Sequence, residues 1–269
     1  MRLEFLDLLL EARNAPGIRN KTKLIASILI DVIGYHLGSR HFTDTLTKPL
    51  LKSTMVVAGD CKFYLLDRES MSIVSARLGF EEFMKPWLHI KADDVVIDVG
   101  AHVGKYTVSF ARKAAQVIAM EPSRETYQVL VRNIIANGLK NVVPLNLAAW
   151  NERTQMTLFR GPTPAQHSLK RSFKESEDIL TETIDTIVDL QRLPRVDWIK
   201  VDVEQAEVEA LEGAQITMRK MKPRIIVEVW LRNKHRMREL LKKNEYGAIC
   251  ISSSLHPAGC WYWLILPLS

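Results

Sequence analysis

From residue 94 onward, the apolar positions of the chain fall into short runs that are separated by segments with helical spacing. The runs that we predict to be strands are residues 95–99, 117–120, 141–147, 196–201 and 224–230. The segments between them include residues 123–137 and one long helix that buries Val208, Leu211, Ala214, Met218 and Met221. Strands that alternate with helices are typical of a mostly parallel α/β sheet with helices on both faces. The last two runs, residues 248–251 and 261–266, predict an antiparallel pair that completes a doubly wound, Rossmann-like sheet of seven strands.

The first ninety residues follow a different pattern, which predicts helices and a hairpin. Leucine-rich segments at residues 3–10 and 24–37 have helical spacing. Residues 53–80 alternate in short β-like runs around a turn at Gly59, which predicts a β-hairpin, and a short helix is predicted at residues 80–84.

Two further segments complete the predicted organisation. Residues 153–160 alternate like an additional strand, whereas residues 161–182 are polar without an apolar period, which predicts a mobile loop near the functional site. His167 lies in this segment, where a surface position is the simplest interpretation. We divide the chain into a helical and hairpin cap, residues 1–90, and an α/β domain, residues 91–269.

The chain carries a net charge of +6, and its basic residues cluster in three places. These clusters are residues 13–23, 170–171 and 219–243. An anionic partner such as RNA or a lipid surface is one interpretation, and solvated helix faces are the commoner one. Aromatic residues do not interleave with the basic ones in the way that favours single-strand nucleic-acid binding.

Cysteine use and hydropathy bear on the compartment. Cys61, Cys250 and Cys260 lack paired metal or redox spacing, which fits a reducing compartment. The first residues are amphipathic and include acids, unlike a signal peptide, and the longest apolar run, residues 24–37, is too short to span a bilayer. We therefore predict a cytoplasmic protein without a transmembrane segment, and we predict nothing about its oligomeric state.

The candidate chemistry begins at Asp98, where the first strand of the α/β domain runs into Asp-Val-Gly-Ala-His-Val-Gly. Only Gly100 and Gly104 in this loop lack a side chain. Dinucleotide-binding folds use three glycines, which let the backbone approach a pyrophosphate, so this loop lacks one of them. S-adenosylmethionine has no phosphate and needs close backbone approach and donors for one carboxylate. A helix that begins near Gly104 offers free N–H groups to such an anion. The spacing therefore favours S-adenosylmethionine over NAD.

Three alternatives to S-adenosylmethionine binding have to be weighed for the segment from Asp98 to Glu121: NAD binding, a phosphate-binding loop, and a purely structural role. Glu121, at the end of the next strand, can accept both hydroxyls of a ribose, but NAD enzymes place an acid similarly, so Glu121 does not discriminate between the cofactors. A phosphate-binding P-loop requires glycine at position 99 and Ser or Thr at position 106, and the chain has Val99 and Tyr106. In the third interpretation, the glycines only allow a helix to pack on a strand.

The motifs, in order along the chain, resemble the FkbM-type methyltransferases within the class I S-adenosylmethionine-dependent fold. The resemblance covers about residues 95–230 and rests on Asp98–Gly104 with Tyr106-Thr107, Glu121-Pro122, Asn133 with Asn137-Gly138-Leu139, residues 183–187, residues 199–207, residues 211–214 and Glu228. It implies a methyltransferase that uses S-adenosylmethionine. The residues that we predict to bind this cofactor are Asp98, Gly100, His102, Gly104, Glu121, Pro122 and Ala148.

Two positions depart from the family pattern. The family usually has Asn at the position of His102, and a histidine that donates to the cofactor carboxylate would be expected to change charge near pH 6–7. The family usually has Gly at the position of Gln205, and a side chain there is expected to narrow the substrate pocket or alter the turn.

Three carboxylates at predicted strand ends are the catalytic candidates, with Asp202 first, Glu204 second and Glu228 third. A carboxylate beside the transferred methyl group can remove a proton from a hydroxyl or orient an incoming O–H or N–H. Asp202 and Glu204 face the same site only if the chain turns at Val203. The structural alternatives are a backbone hydrogen bond at the strand end for Asp202 and a helix N-terminal acid for Glu204. The spacing does not call for a metal ion.

The sequence therefore predicts an enzyme that methylates a hydroxyl on a sugar, a glycan or a secondary metabolite. A protein lysine or RNA acceptor is the alternative within the same reaction class. A nicotinamide-dependent oxidoreductase would need the third glycine that the loop lacks. A non-catalytic binding module with a degenerate methyltransferase fold is the alternative that the departures at His102 and Gln205 leave open.

Overall fold

The computed structural model describes residues 12–13, 15–36, 40–52, 54–74, 82–161, 167–170, 173–252 and 260–268. Its helices are α1 (Gly17–His36), α2 (Arg40–Leu51), α3 (Arg68–Val74), α4 (Lys105–Ala111), α5 (Arg124–Ala136), α6 (Ile184–Leu190), α7 (Glu207–Glu212), α8 (Gln215–Met221) and α9 (Lys234–Lys243), with 3₁₀ turns at Glu82–Trp87 and Leu231–Asn233. Its strands are β1 (Met55–Ala58), β2 (Cys61–Tyr64), β3 (Val95–Val99), β4 (Gln116–Met120), β5 (Val142–Leu145), β6 (Ala148–Ala149), β7 (Gln155–Arg160), β8 (Glu175–Glu182), β9 (Trp198–Val201), β10 (Arg224–Trp230), β11 (Tyr246–Cys250) and β12 (Cys260–Pro267).

The central sheet has seven strands in the order β11-β12-β10-β9-β3-β4-β5. The five strands from β10 to β5 are parallel, whereas β12 runs antiparallel to both of its neighbours. Every residue of β3 and β9 is buried, as expected for central strands with helices on both faces. The doubly wound seven-stranded fold and the reversed final strand that the apolar pattern predicts are confirmed.

The cap packs on the α4 and α5 side of the sheet. Its hairpin, β1 and β2, confirms the predicted turn at Gly59, and the helix predicted at residues 24–37 is part of α1, which begins earlier, at Gly17. Leu24 and Ile28 of α1 join a buried cluster that includes Val108 of α4 and Val129 of α5. The leucine-rich segment at residues 3–10 lies outside the described residues, and the division of the chain at residue 90 stays a prediction. No helix in the described ranges combines the length and hydropathy needed to cross a membrane.

The buried amide of Asn133 is one of the contacts that connect the cap to the α/β domain. Asn133 on α5 is completely buried; its Oδ1 accepts the N–H of Tyr64 at 2.6 Å, and its Nδ2 donates to the carbonyls of Tyr64 at 3.2 Å and Val103 at 2.7 Å. The amide therefore holds the hairpin and the loop after β3 together, because it binds the backbone of Tyr64 in the hairpin and the backbone of Val103 in the loop.

The sequence prediction was wrong for part of the region between residues 161 and 182. Glu175–Glu182 form β8, which pairs antiparallel with β7 along its length and parallel with the short β6. The acidic and exposed first residues of β8 conceal the strand in the sequence, because only Ile179 and residues 181–182 have buried side chains. Within the described ranges, residues 167–170 lie against this small sheet through a bridge between Ser168 and Phe159.

Three other boundaries differ from the predicted ones. The long helix after β9 is two short helices, α7 and α8, because the chain breaks at Gly213, where a Cβ would lie 2.1 Å from the carbonyl oxygen of Trp150. Arg68–Val74 form a helix that the alternating pattern conceals. The basic segment after residue 230 predicts a helix to about Tyr246 with Gly247 as its stop, whereas α9 ends at Lys243, since Glu245 has a left-handed backbone with φ of 61°.

Candidate active site

The register of the central sheet places the candidate residues in one row. Val99 of β3 pairs with Met120 of β4 and with Val201 of β9, and Val201 pairs with Val227 of β10. The residues that follow these four positions are Gly100, Glu121, Asp202 and Glu228. Gly100, Glu121 and Asp202 directly follow the carboxyl ends of their parallel strands, whereas Glu228 lies within β10, which continues to Trp230. This is the edge at which open α/β sheets bind their ligands.

Gly100 lies directly against the backbone of Asp202, the third residue of this row. Its φ is +77°, and a Cβ on it would lie 1.8 Å from the carbonyl oxygen of Asp202. Gly104, with φ of +92°, would place a Cβ 2.7 Å from a methyl group of Leu130 on α5. Both positions therefore require glycine for contacts with other parts of the protein, as the packing interpretation expects, whatever ligand the loop binds.

Glu121 is buried and stabilises the loop after β3. One carboxylate oxygen accepts the backbone N–H of His102 at 2.9 Å, and the other accepts the N–H of Ser123 at 2.9 Å, just beyond Pro122. Burial raises the pKa of Glu121 to about 7, and the two N–H groups partly oppose that rise. Each carboxylate oxygen keeps further acceptor capacity, so the group can also accept hydroxyl donors from a ligand.

Asp98 lies beneath the row rather than in it. Its side chain is completely buried, and its Oδ2 accepts the hydroxyl of Thr107 at 2.6 Å. The ammonium of Lys200, on β9, is 3.9 Å from the Oδ1 of Asp98 and 3.2 Å from the Oδ2 of Asp202. Burial raises the pKa of Asp98, and Lys200 opposes the rise. Asp98 therefore contacts the first turn of α4 and Lys200 in this structure.

Lys200 is a residue of the site to which the sequence analysis assigned no role. It is 5% exposed, sits between two carboxylates, and lies 5.0 Å from the centre of the Tyr106 ring. The signal in the sequence is a lysine inside an otherwise apolar strand, Trp-Ile-Lys-Val, because a lysine is rarely buried unless it is paired. The cation connects the enclosed Asp98 with the partly exposed Asp202.

The backbone turns sharply after Asp202. Glu204 and Gln205 both have left-handed φ values, of 46° and 79°, so the turn lies one residue beyond the expected Val203. The side chain of Asp202 is 29% exposed at the edge of the sheet. The carbonyl of Glu204 accepts the hydroxyl of Ser168 at 2.8 Å, which holds the segment at residues 167–170 over this turn.

The third carboxylate, Glu228, is 8% exposed and lies on β10 opposite Tyr262 of β12. Beyond it, Glu207 closes the end of β10 by accepting the N–H of Trp230 at 2.8 Å and the side-chain amide of Asn233 at 3.0 Å. Ala148 is buried in β6, where it pairs with Thr181 of β8. Ala148 therefore lies in the small sheet and not at an end of the central one.

Two histidines near the loop are neutral. Burial lowers the pKa of His102 and of His167 to about 4, so neither imidazole carries a charge at pH 7. This corrects the expectation that His102 changes charge near pH 6–7. Both ring nitrogens of His102 are buried and have no hydrogen-bond partner among the described residues, so one N–H and one acceptor remain for a ligand.

The left-handed backbone of Gln205 leads to a prediction. At position 205, Gly is expected to give a more stable protein than Ala by about 1 kcal/mol, because a Cβ is strained at positive φ. Both variants remove the Gln side chain beyond Cβ, so the difference between them isolates the backbone effect. Urea unfolding of Gln205→Gly and Gln205→Ala measures it.

Ala210, inside the following helix α7, supplies the control. Its backbone is helical, so Ala210→Gly is expected to lower the free energy of unfolding. Equal stability of Gln205→Gly and Gln205→Ala would contradict the inference of strain at this turn.

Comparison with known proteins agrees with this geometry. The sequence model of the family described as "Methyltransferase FkbM domain" matches residues 98–248. The hexuronic acid methyltransferase AglP of Haloferax volcanii is 31% identical over 121 residues, which are 45% of this chain and 50% of that protein. The methyltransferase sdnD of Sordaria araneosa is 25% identical over 53% of this chain and 68% of that protein. The chain thus spans about half the length of the first of these relatives.

A solved structure supports the fold. The methyltransferase FkbM from Methylobacillus flagellatus KT superimposes with a TM-score of 0.50 at 15% identity, over 97% of this chain and 59% of that one. This likeness confirms the class I fold, and the family match confirms the resemblance found in the motifs. The chain belongs to the FkbM methyltransferase domain family.

Proposed function

We propose that this protein is an S-adenosylmethionine-dependent methyltransferase that methylates a hydroxyl of a sugar or of a sugar-containing compound. The observation that carries the proposal is the row of Gly100, Glu121, Asp202 and Glu228 along the carboxyl edge of the sheet. Membership of the family supports methyl transfer. The name of the first relative, a hexuronic acid methyltransferase, supports a sugar acceptor.

The residues on the β3 and β4 side of the row suit the cofactor. The Glu121 carboxylate would accept the ribose hydroxyls, and the orphaned N–H of His102 would donate to the methionyl carboxylate. Gly100 lets the backbone come close, and Gly104 begins α4. We propose no direct contact for Asp98, which is enclosed between Thr107 and Lys200.

The residues on the β9 and β10 side suit the acceptor. When bound, the cofactor supplies a methyl group that its sulfonium already activates. Asp202 would orient the acceptor hydroxyl and take its proton, while Lys200 keeps the Asp202 carboxylate in place. Glu204 and Glu228 would line the same edge. Alignment of two reactants is worth about 7–11 kcal/mol, so a rigid row of this kind supplies a large part of what methyl transfer needs.

Binding of S-adenosylhomocysteine tests the proposal most directly. Isothermal titration of the purified chain is expected to give a dissociation constant on the order of micromolar for this compound and no binding of NAD. Binding of NAD alone would replace the proposal with an oxidoreductase. Binding of neither would favour a non-catalytic module, and His102→Asn would then be the first variant to titrate.

Replacing Glu121 by Ala is expected to weaken S-adenosylhomocysteine binding about 10–100-fold, because the carboxylate accepts charge-assisted hydrogen bonds from the ribose. The affinity of the unmodified protein is expected to fall as the pH is lowered from 8 to 6. The pKa of Glu121 is about 7, and the protonated group is the poorer acceptor for hydroxyls. Titration calorimetry at both pH values measures the two effects.

Glu121 also holds backbone N–H groups, so a loosened loop must be distinguished from a lost ribose contact. An analogue of S-adenosylhomocysteine without the 2′-hydroxyl provides that distinction. The unmodified protein is expected to bind the analogue more weakly than it binds S-adenosylhomocysteine. The Glu121→Ala variant is expected to bind the two compounds with equal affinity. An equal loss from the analogue in both proteins would show that Glu121 does not contact the ribose.

A further inference from the structure

The outer face of α1 carries a stripe of large aliphatic side chains. Ile18, Ile25, Leu29 and Ile33 are 85%, 40%, 49% and 59% exposed, and we call these four residues the outer stripe. At a rise of 1.5 Å per residue the stripe extends about 22 Å along the helix. Contiguous apolar patches of this kind on a protein surface mark interaction sites, whereas single exposed aliphatic residues do not.

The outer stripe is additional to the face with which α1 packs on the protein. Leu24 and Ile28 are 0% and 1% exposed and belong to the core beneath the cap. At a helical rotation of 100° per residue, the side chains of the outer stripe are centred about 115° around the helix from these two residues. α1 is therefore held in place by its inner face, while its apolar outer face points away from the protein.

The charges on α1 are arranged for an anionic partner. Arg19 and Lys21 are exposed on the two sides of the N-terminal end of the outer stripe, and Arg13 is exposed before the helix. The only acidic residue of α1 is Asp31, which is 9% exposed and paired with Arg68 at 3.5 Å. The exposed charges of the helix are thus of one sign.

We propose that α1 is a peripheral membrane-binding helix that inserts its outer stripe into the surface of an anionic lipid bilayer. An apolar stripe with exposed basic residues beside it is the arrangement with which interfacial helices bind such surfaces. A second copy that pairs with its helix parallel would bring Arg19 and Lys21 of both copies together without an acidic residue between them, and the light-scattering experiment below distinguishes an antiparallel pair. The proposal is independent of the methyltransferase function.

The neighbouring helix connects α1 to the α/β domain. α1 packs on α2, since Gly34 allows Thr43 of α2 to approach closely. At its far end α2 reaches the domain through Lys48 and Lys52, which pair with Glu125 in the first turn of α5 at 3.3 and 2.8 Å. These contacts connect the cap to α5, the helix that follows Glu121 in the chain.

Vesicle co-sedimentation of the full chain tests the proposal. The protein is expected to bind vesicles of phosphatidylcholine with about 30% phosphatidylglycerol, to bind pure phosphatidylcholine at least about tenfold more weakly, and to lose affinity as salt is added. The triple variant Ile18→Gln, Leu29→Gln and Ile33→Gln is expected to lose at least about tenfold of its binding to the anionic vesicles. These three side chains are exposed, so circular dichroism and the melting temperature should stay unchanged.

The matched control is Ile216→Gln on α8, which removes a 50% exposed isoleucine away from the cap and should leave binding unchanged. The proposal is overturned if the unmodified chain does not bind anionic vesicles, or if the triple variant binds them equally well. It is also overturned if light scattering shows a dimer that the triple variant dissociates, because the stripe would then be an interface between two copies.

Discussion

Asp202→Asn is expected to lower the turnover number by about 10²–10⁴-fold while leaving the affinity for S-adenosylhomocysteine nearly unchanged. The amide keeps the shape of the side chain and can no longer take a proton from an acceptor hydroxyl. Asp202 lies on the acceptor side of the row, at the end of β9, and its side chain is 29% exposed, so a substrate can reach it. Transfer of a labelled methyl group to a sugar acceptor measures turnover, and titration calorimetry measures the affinity.

Glu228→Gln and Glu204→Gln are the comparison variants, and smaller losses are expected from both. The acceptor class affects the result, because a carboxylate acceptor needs no base whereas a hydroxyl does. The position of the transferred methyl group in the product therefore has to be established first. Unchanged turnover of Asp202→Asn with a product methylated on a hydroxyl would remove Asp202 from the catalytic role.

Lys200→Met is expected to lower the free energy of unfolding by about 3–5 kcal/mol, which is the usual cost of removing one partner from a buried ion pair. The variant leaves Asp98, which is completely buried, without the cation that opposes its desolvation. Urea unfolding at pH 8 measures the loss. Lys113→Met, which changes an exposed lysine, is the control and should have little effect.

The pH dependence provides a second readout of the same change. The folded protein raises the pKa of Asp98 above its ordinary value, so the stability associated with this group is highest at low pH and is lost as pH rises through the raised pKa. Removing Lys200 raises that pKa further, so the destabilisation should be smaller at pH 5 than at pH 8. The double variant Asp98→Asn with Lys200→Met should recover part of the loss. A pH-independent loss would point to packing rather than charge.

The sequence predicts the alignment of the candidate residues because parallel strands end at a common edge. The apolar runs before Gly100, Glu121 and Asp202 are strands of the sheet, Glu228 lies within the run that forms β10, and each of the four residues follows a matched position. The sequence pattern cannot show which side chains the fold then encloses. The pattern places Asp98 in the first strand of the α/β domain and among the cofactor-binding candidates, but it does not show that the side chain is enclosed with Thr107 and Lys200.

Long-range contacts explain most of the other differences. The helix after β9 breaks at Gly213, a position without room for a Cβ beside the carbonyl of Trp150, and apolar spacing carries no information about that contact. The pKa of His102 depends on its burial, which a single sequence does not show. The strand β8 is concealed because its partner β7 supplies the pairing while its own first residues stay polar.

The contact of Gly100 with the carbonyl of Asp202 affects how substitutions can change the acceptor that the protein prefers. On the proposed roles, this contact joins the half of the cleft that holds the methyl donor to the half that holds the proton acceptor, and it consists of backbone atoms and a glycine Cα. The separation between the two halves therefore does not depend on the side chains that line the acceptor half. Substitutions there can change what is methylated while the reacting groups keep their spacing.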